Sequence, residues 1–141
     1  MSANTSPSAA AQRFVPLLGR ILLSAIFLLS GAGKIMDWPG TEGMMAKHNM
    51  PLVPLFLVGA IAVELSGGLS VLLGCKARLG AVLLFLFLIP TTLIFHNFWT
   101  FEGPQQKVQM INFLKNLAIM GGLAMVVGFG SGPMSLDRQR V

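Results

Sequence analysis

The chain has 141 residues, 54% of them hydrophobic and 11% charged, with a mean hydropathy of +0.74; a water-soluble domain carries roughly a quarter charged residues. So few charges cannot cover a water-facing globule without large apolar patches, and lipid is therefore the expected solvent. Ten Lys and Arg against five Asp and Glu give a net charge of +5, but the basic residues stand singly or in close pairs at the ends of apolar runs. That is a membrane-topology pattern, and it argues against a nucleic-acid face.

Residues 1–13 begin with a small, polar stretch without periodicity and are expected to be a disordered tail. Four apolar runs follow, at about 14–36, 52–73, 79–99 and 108–130, each near the ~20 residues that an α-helix needs to cross the hydrocarbon layer. Unpaired backbone groups are too costly in lipid, and the runs lack the alternation of barrel strands, so the expected fold is all-α, a four-helix transmembrane bundle. The first run ends in Ser30-Gly31-Ala32, which imitates a signal-peptide cleavage site. Its apolar stretch reaches spanning length through Phe14 to Leu18, so a retained helix is expected instead.

Between the first two runs, residues 37–50 (DWPGTEGMMAKHNM) contain turn signals, methionines and Trp38, and 41–50 suit a short interfacial helix before Pro51. The turn at 74–78 holds Cys75 with Lys76 and Arg78; a single cysteine excludes an internal disulfide or a Cys-based metal cluster. Pro90 removes a backbone donor within the third run, where the Thr91 and Thr92 hydroxyls can reach freed carbonyls. Residues 100–107 (TFEGPQQK) form a second shaped loop beside Trp99, and 131–141 a short tail. Arg13, Arg20, Lys76, Arg78, Arg138 and Arg140 fall on one side, against Lys34, Lys47 and Lys107 among three acidic residues on the other. The positive-inside rule then places both termini in the cytoplasm. No repeat of transporter type is present.

The polar residues that lipid should penalise are Arg20, Glu64, His96, Asn97, Asn112, Lys115 and Asn116. Glu64 is expected roughly 20 Å below the outer entry of its helix, within reach of Arg20 from the cytoplasmic side or of Lys115 from the other. In one reading Arg20, Glu64 and Lys115 pair as buried charges that only lock the helices in register. In another, His96, Asn97, Asn112, Lys115 and Asn116 form an outward-facing pocket for a polar head group, a quinone or another lipid, with Phe and Leu around its tail. A third is proton relay through His96 and Glu64. His48 and His96 lie on the same side, but two histidines without local spacing do not specify a haem or a metal, and no metal site is expected. Ser30 to Gly33, Ser66 to Gly68 with Ser70, and Gly121-Gly122 are small-residue clusters suited to close helix packing. The nine Met and ten Phe are packing and lipid-facing residues. No nucleophile with its base and no phosphate loop is present, so no reaction is visible and the chain is not expected to be catalytic on its own.

GRILLSAIFLLSGAGKI (19–35), with its Gly-Arg and its Ser-Gly-x-x-Lys, resembles the opening of DoxX-family membrane proteins. The segments 37–51, 63–84, 95–99 and 111–123 are similar to the family's first outward loop, its Glu-bearing second helix with basic turn, and its last two helices. The resemblance covers about 15–130 and implies a four-helix protein of the cell inner membrane. It also implies association with quinone-linked sulfur oxidation or with redox complexes that handle thiol and oxidative stress. Arg20, Glu64, His96, Lys115 and Asn116 match its polar positions without a chemical role. The chain lacks a Cys pair and cofactor ligands, so the expectation is a subunit that supports a membrane redox system. The alternative is a structural or assembly subunit of a larger complex. Expected partners are the bilayer, other membrane or redox subunits and, in a homo-oligomer, further copies of the chain.

Overall fold

The computed structural model describes residues 8–137. Arg138 and Arg140 of the charge count, and most of the expected N-terminal tail, lie outside the described residues. Five α-helices follow in order: α1 (Ala9–Met36), α2 (Trp38–Lys47), α3 (Val53–Leu73), α4 (Ala77–Phe95) and α5 (Gly103–Phe129), with a 3-10 turn at Phe98–Thr100 before α5. Four of them, α1, α3, α5 and α4 with the turn that follows it, are long and apolar enough to cross a membrane.

α1 starts at Ala9, ahead of the expected 14, because Ser8 accepts a hydrogen bond from the Ala11 amide and Ala9 to Arg13 are strong helix formers. Residues 9–13 therefore extend the first helix instead of belonging to a disordered tail. α2 is the expected short helix, shifted to Trp38–Lys47: Asp37 caps it by accepting from the Gly40 amide at 3.1 Å, and Pro39 sits in its first turn. α4 stops at Phe95, so His96 is its C-cap and Asn97 lies just beyond it. Within α4, the Thr91 hydroxyl donates to the Phe87 carbonyl at 2.8 Å, beside the gap that Pro90 leaves in the ladder.

The spanning helices stand in a curved row, α1 against α3, α3 against α4 and α4 against α5, while α1 and α5 meet at few points. Glycines set the close contacts of the row. A Cβ on Gly67 would lie 2.7 Å from Leu84, one on Gly31 2.8 Å from Leu65, and one on Gly68 2.9 Å from Leu28. The expected packing role therefore holds for these three, whereas Gly33 and Gly121 have nothing near them. Phe27, Val71, Ala81, Leu84, Leu88 and Leu123 form the core. Leu123 is the buried residue of α5, so most of that helix faces outward. At the end opposite α2, residues 131–137 fold back under the bundle, where the Leu136 and Asp137 amides donate to the Leu73 and Gly74 carbonyls.

Candidate functional site

A cavity of about 760 Å³ lies between α1, α3, α4 and α5 under α2. Its walls are mostly apolar, with Phe27, Phe56, Val63, Phe87, Phe95 and Ile119 among them, and three methionines, Met44, Met45 and Met50, sit at the α2 end. This size and composition suit a small amphipathic ligand.

The polar groups of the cavity come from three places. On the α1–α3 wall, Lys34 Nζ donates to Glu64 Oε2 at 2.9 Å, to Glu64 Oε1 at 3.0 Å and to Ser30 Oγ at 2.6 Å, and Ser30 Oγ donates to Glu64 Oε1 at 3.0 Å. Glu64 is buried and Lys34 partly so. An ammonium has three protons, and all three are engaged here. On the α4–α5 wall, His96 Nδ1 donates to Gln109 Oε1 at 2.8 Å, and Asn116 Nδ2 donates to Thr92 Oγ1 at 3.0 Å. From above, His48 Nδ1 donates to the Met44 carbonyl at 3.0 Å, its ring 4.8 Å from that of Phe95. Each ring is held through Nδ1, so a neutral imidazole here offers Nε2 as an acceptor. The described residues bring no three His, Cys, Asp or Glu side chains together.

Of the expected pocket residues, His96 and Asn116 line the cavity, and Asn97, Asn112 and Lys115 do not. Asn97 is partly buried with its Oδ1 unpartnered, next to the edge-to-face stack of Phe98 on Phe113. Asn112 is partly buried elsewhere on α5, and Lys115 is exposed.

The expected pairing of Glu64 with Arg20 or Lys115 is corrected to Lys34, and the reason is register. α1 and α3 run antiparallel with Gly31 level with Glu64 and Arg20 level with Gly74, which separates Arg20 from Glu64 by about 15 Å along the bundle. Arg20 Nη2 donates instead to the Met134 carbonyl of the folded-back segment. Lys115 lies on α5, across the row from α3. In the sequence Lys34 reads as an outer flanking charge and Ser30 as a packing residue, and Gln109 carries no signal. A signal for Lys34 was present: Arg20, Ser24, Phe27 and Gly31 form the buried stripe of α1, and Lys34 continues it at helical spacing.

The Ser and Lys of the Ser-Gly-x-x-Lys segment are thus the two residues that hold Glu64. Comparison with known proteins agrees with the resemblance: the DoxX family matches residues 15–97, and the SURF4 family matches residues 57–141. The chain is 33% identical over 130 residues to inner membrane protein YphA of Escherichia coli K12, covering 92% of this chain and 93% of that protein. It is 36% identical over 122 residues to inner membrane protein YqjF of the same organism, covering 86% and 88%. A Surfeit locus protein 4 homolog of Drosophila melanogaster is 27% identical over 131 residues; the match covers 92% of this chain but only 42% of that longer protein. No solved structure matches the chain.

Proposed function

The chain belongs to the DoxX family and is a multi-pass inner membrane protein, and on that premise we propose that it serves a membrane redox system by holding a quinone in the cavity beneath α2. One observation supports this reading: an apolar cavity of about 760 Å³ presents two imidazoles, each held through Nδ1, whose Nε2 atoms are placed to accept when the rings are neutral. Such an acceptor takes the hydroxyl proton of a reduced quinone, and a protonated imidazole donates to the carbonyl of the oxidised one. The bound quinone would supply the electron and proton transfer, while His48, His96 and the apolar walls bind and orient it. His96 is held by Gln109 and His48 by Met44, so both rings are fixed before a ligand arrives. With the termini cytoplasmic, as the charge count implies, the cavity opens toward the outer face.

A second reading, a structural or assembly subunit, is favoured by the Lys34, Ser30 and Glu64 cluster, which satisfies itself and leaves the ammonium no proton for a ligand. Purification from native membranes in lipid nanodiscs, with extraction and quantification of bound quinone, separates the two. The quinone reading expects about one quinone per chain, falling at least fivefold in the double variant His48→Leu with His96→Leu. An isolate that carries no quinone above the bulk lipid ratio supports the structural subunit.

A further inference from the structure

The seam between α1 and α5 is where the row of helices fails to close, and an apolar groove of about 770 Å³ runs along it. Its α1 side includes Gly19, Leu22 and Ile26, and its α5 side Ile119, Gly122 and Phe129. Ile26 and Ile119 line this groove and also line the cavity beneath α2. This pair of aliphatic side chains therefore forms a wall common to the two spaces. From Ile26 the groove continues to Val15, eleven residues along α1, or about 16 Å. It is apolar over that length except for Arg20, about midway along that stretch of α1.

The geometry points to a single binding site for a long-chained quinone, its head in the cavity and its isoprenoid chain passing between Ile26 and Ile119 to lie in the α1–α5 groove. This rests on the quinone reading and adds how the tail is held and where the ligand enters. A groove between two helices has room for one chain. Gly122 keeps it open, since a Cβ there would stand 3.2 Å from the Leu23 side chain. Because the seam faces lipid, exchange is lateral, from the bilayer, and needs no path through water. Recognition is then divided: the imidazoles read the head, and at least about 16 Å of apolar groove selects for chain length.

The test uses the full chain in nanodiscs and a quinone bearing a diazirine at the end of a farnesyl-length chain, with labelled peptides mapped by mass spectrometry. The expected result is labelling of α1 between 15 and 22 and of α5 between 122 and 129, suppressed at least fivefold by excess unlabelled long-chain quinone. Gly19→Leu combined with Gly122→Leu, both lining the groove and outside the cavity, should abolish that labelling while a tail-less quinone still binds, as read by quenching of the native tryptophans. A Cβ at Gly19 meets nothing within 4 Å, so the larger side chain there enters the groove without unfolding the helix. Labelling that long-chain quinone does not compete means bulk lipid fills the groove and overturns the inference, and so does labelling at another cavity mouth. Absence of label from both helices, as when a second copy or partner helix covers the seam, overturns it as well. If wild-type protein fails to bind even the tail-less quinone, the quinone reading itself falls and this inference with it.

Discussion

Lys34 of α1 directs all three of its ammonium protons at Ser30, one turn behind it, and at both carboxylate oxygens of Glu64 on α3. The cluster fixes the two helices at one register, because sliding either by a turn would leave a charge in hydrocarbon. Removing one partner therefore costs more than removing both. Lys34→Met strands the Glu64 carboxylate and should destabilise the fold by about 3 kcal/mol, whereas Lys34→Met with Glu64→Leu should recover most of that loss. Thermal unfolding in detergent, arranged as a double-mutant cycle, measures the coupling. Additive effects would mean that the pair contributes nothing to register.

The histidine wall makes a graded prediction. His96→Leu removes an acceptor from the cavity and should weaken reduced-quinone binding by about 1 to 2 kcal/mol, or roughly five- to thirtyfold. Gln109→Leu leaves the imidazole in place but frees its orientation and tautomer, so a smaller loss of a few fold is expected. Lys115→Ala, at an exposed site outside the cavity, should leave binding unchanged. Titration of reduced quinone into the three variants checks the order; a loss for Lys115→Ala as large as for His96→Leu would refute this geometry.

The close approach of α3 and α4 gives a steric prediction with its own control. Gly67→Leu drives a side chain into Leu84, whose Cγ is 2.7 Å from the added Cβ position, and should cost about 1 to 3 kcal/mol as the helices separate. Gly121→Ala meets nothing within 4 Å. It should be neutral or stabilise by roughly 0.5 to 1 kcal/mol, since alanine restricts the helical backbone that glycine leaves free. Unfolding temperatures of the two variants in the same detergent decide the matter.

What the sequence made legible was each helix taken alone. Spanning length marks the four long helices, while α2 begins at Trp38 and not at the expected 41, because Asp37 caps it and Pro39 fits its first turn. Partners across helices were not legible, because register depends on the loops. The connection from Asp37 to Leu52 contains a helix of its own, so neither its length nor its composition says that Gly31 faces Glu64. Arg20 and Lys34 are eleven and three residues from Gly31, and only that register decides which of them meets the carboxylate. His96 was legible as a polar side chain at the end of an apolar run, and it lines the cavity. His48 became part of the same cavity only through the fold of α2.

The folded-back segment offers a pH test. Asp137 reaches α4 from sixty residues away in sequence: Oδ2 accepts from the Ala77 amide at 3.0 Å and Oδ1 from the Lys76 amide at 2.6 Å, so it serves as the missing cap of that helix, whose own flanking Lys76 supplies none. The Ala77 amide, with smaller contributions from Lys76, Ser131 and the Arg20 charge, holds the carboxyl below its usual range. A carboxyl whose folded pKa is depressed binds its proton more readily when unfolded. Its contribution to stability is therefore complete above the ordinary Asp value of about 4 and is lost as pH falls below it, through the lower folded value. Asp137→Ala should cost about 1 kcal/mol at neutral pH, typical of a lost helix cap. It should also flatten the fall in unfolding temperature as the pH drops below about 4, relative to the wild type. Unfolding curves of both proteins across that range, in a detergent without titrating groups, measure the difference. Parallel curves would mean that Asp137 does not cap α4.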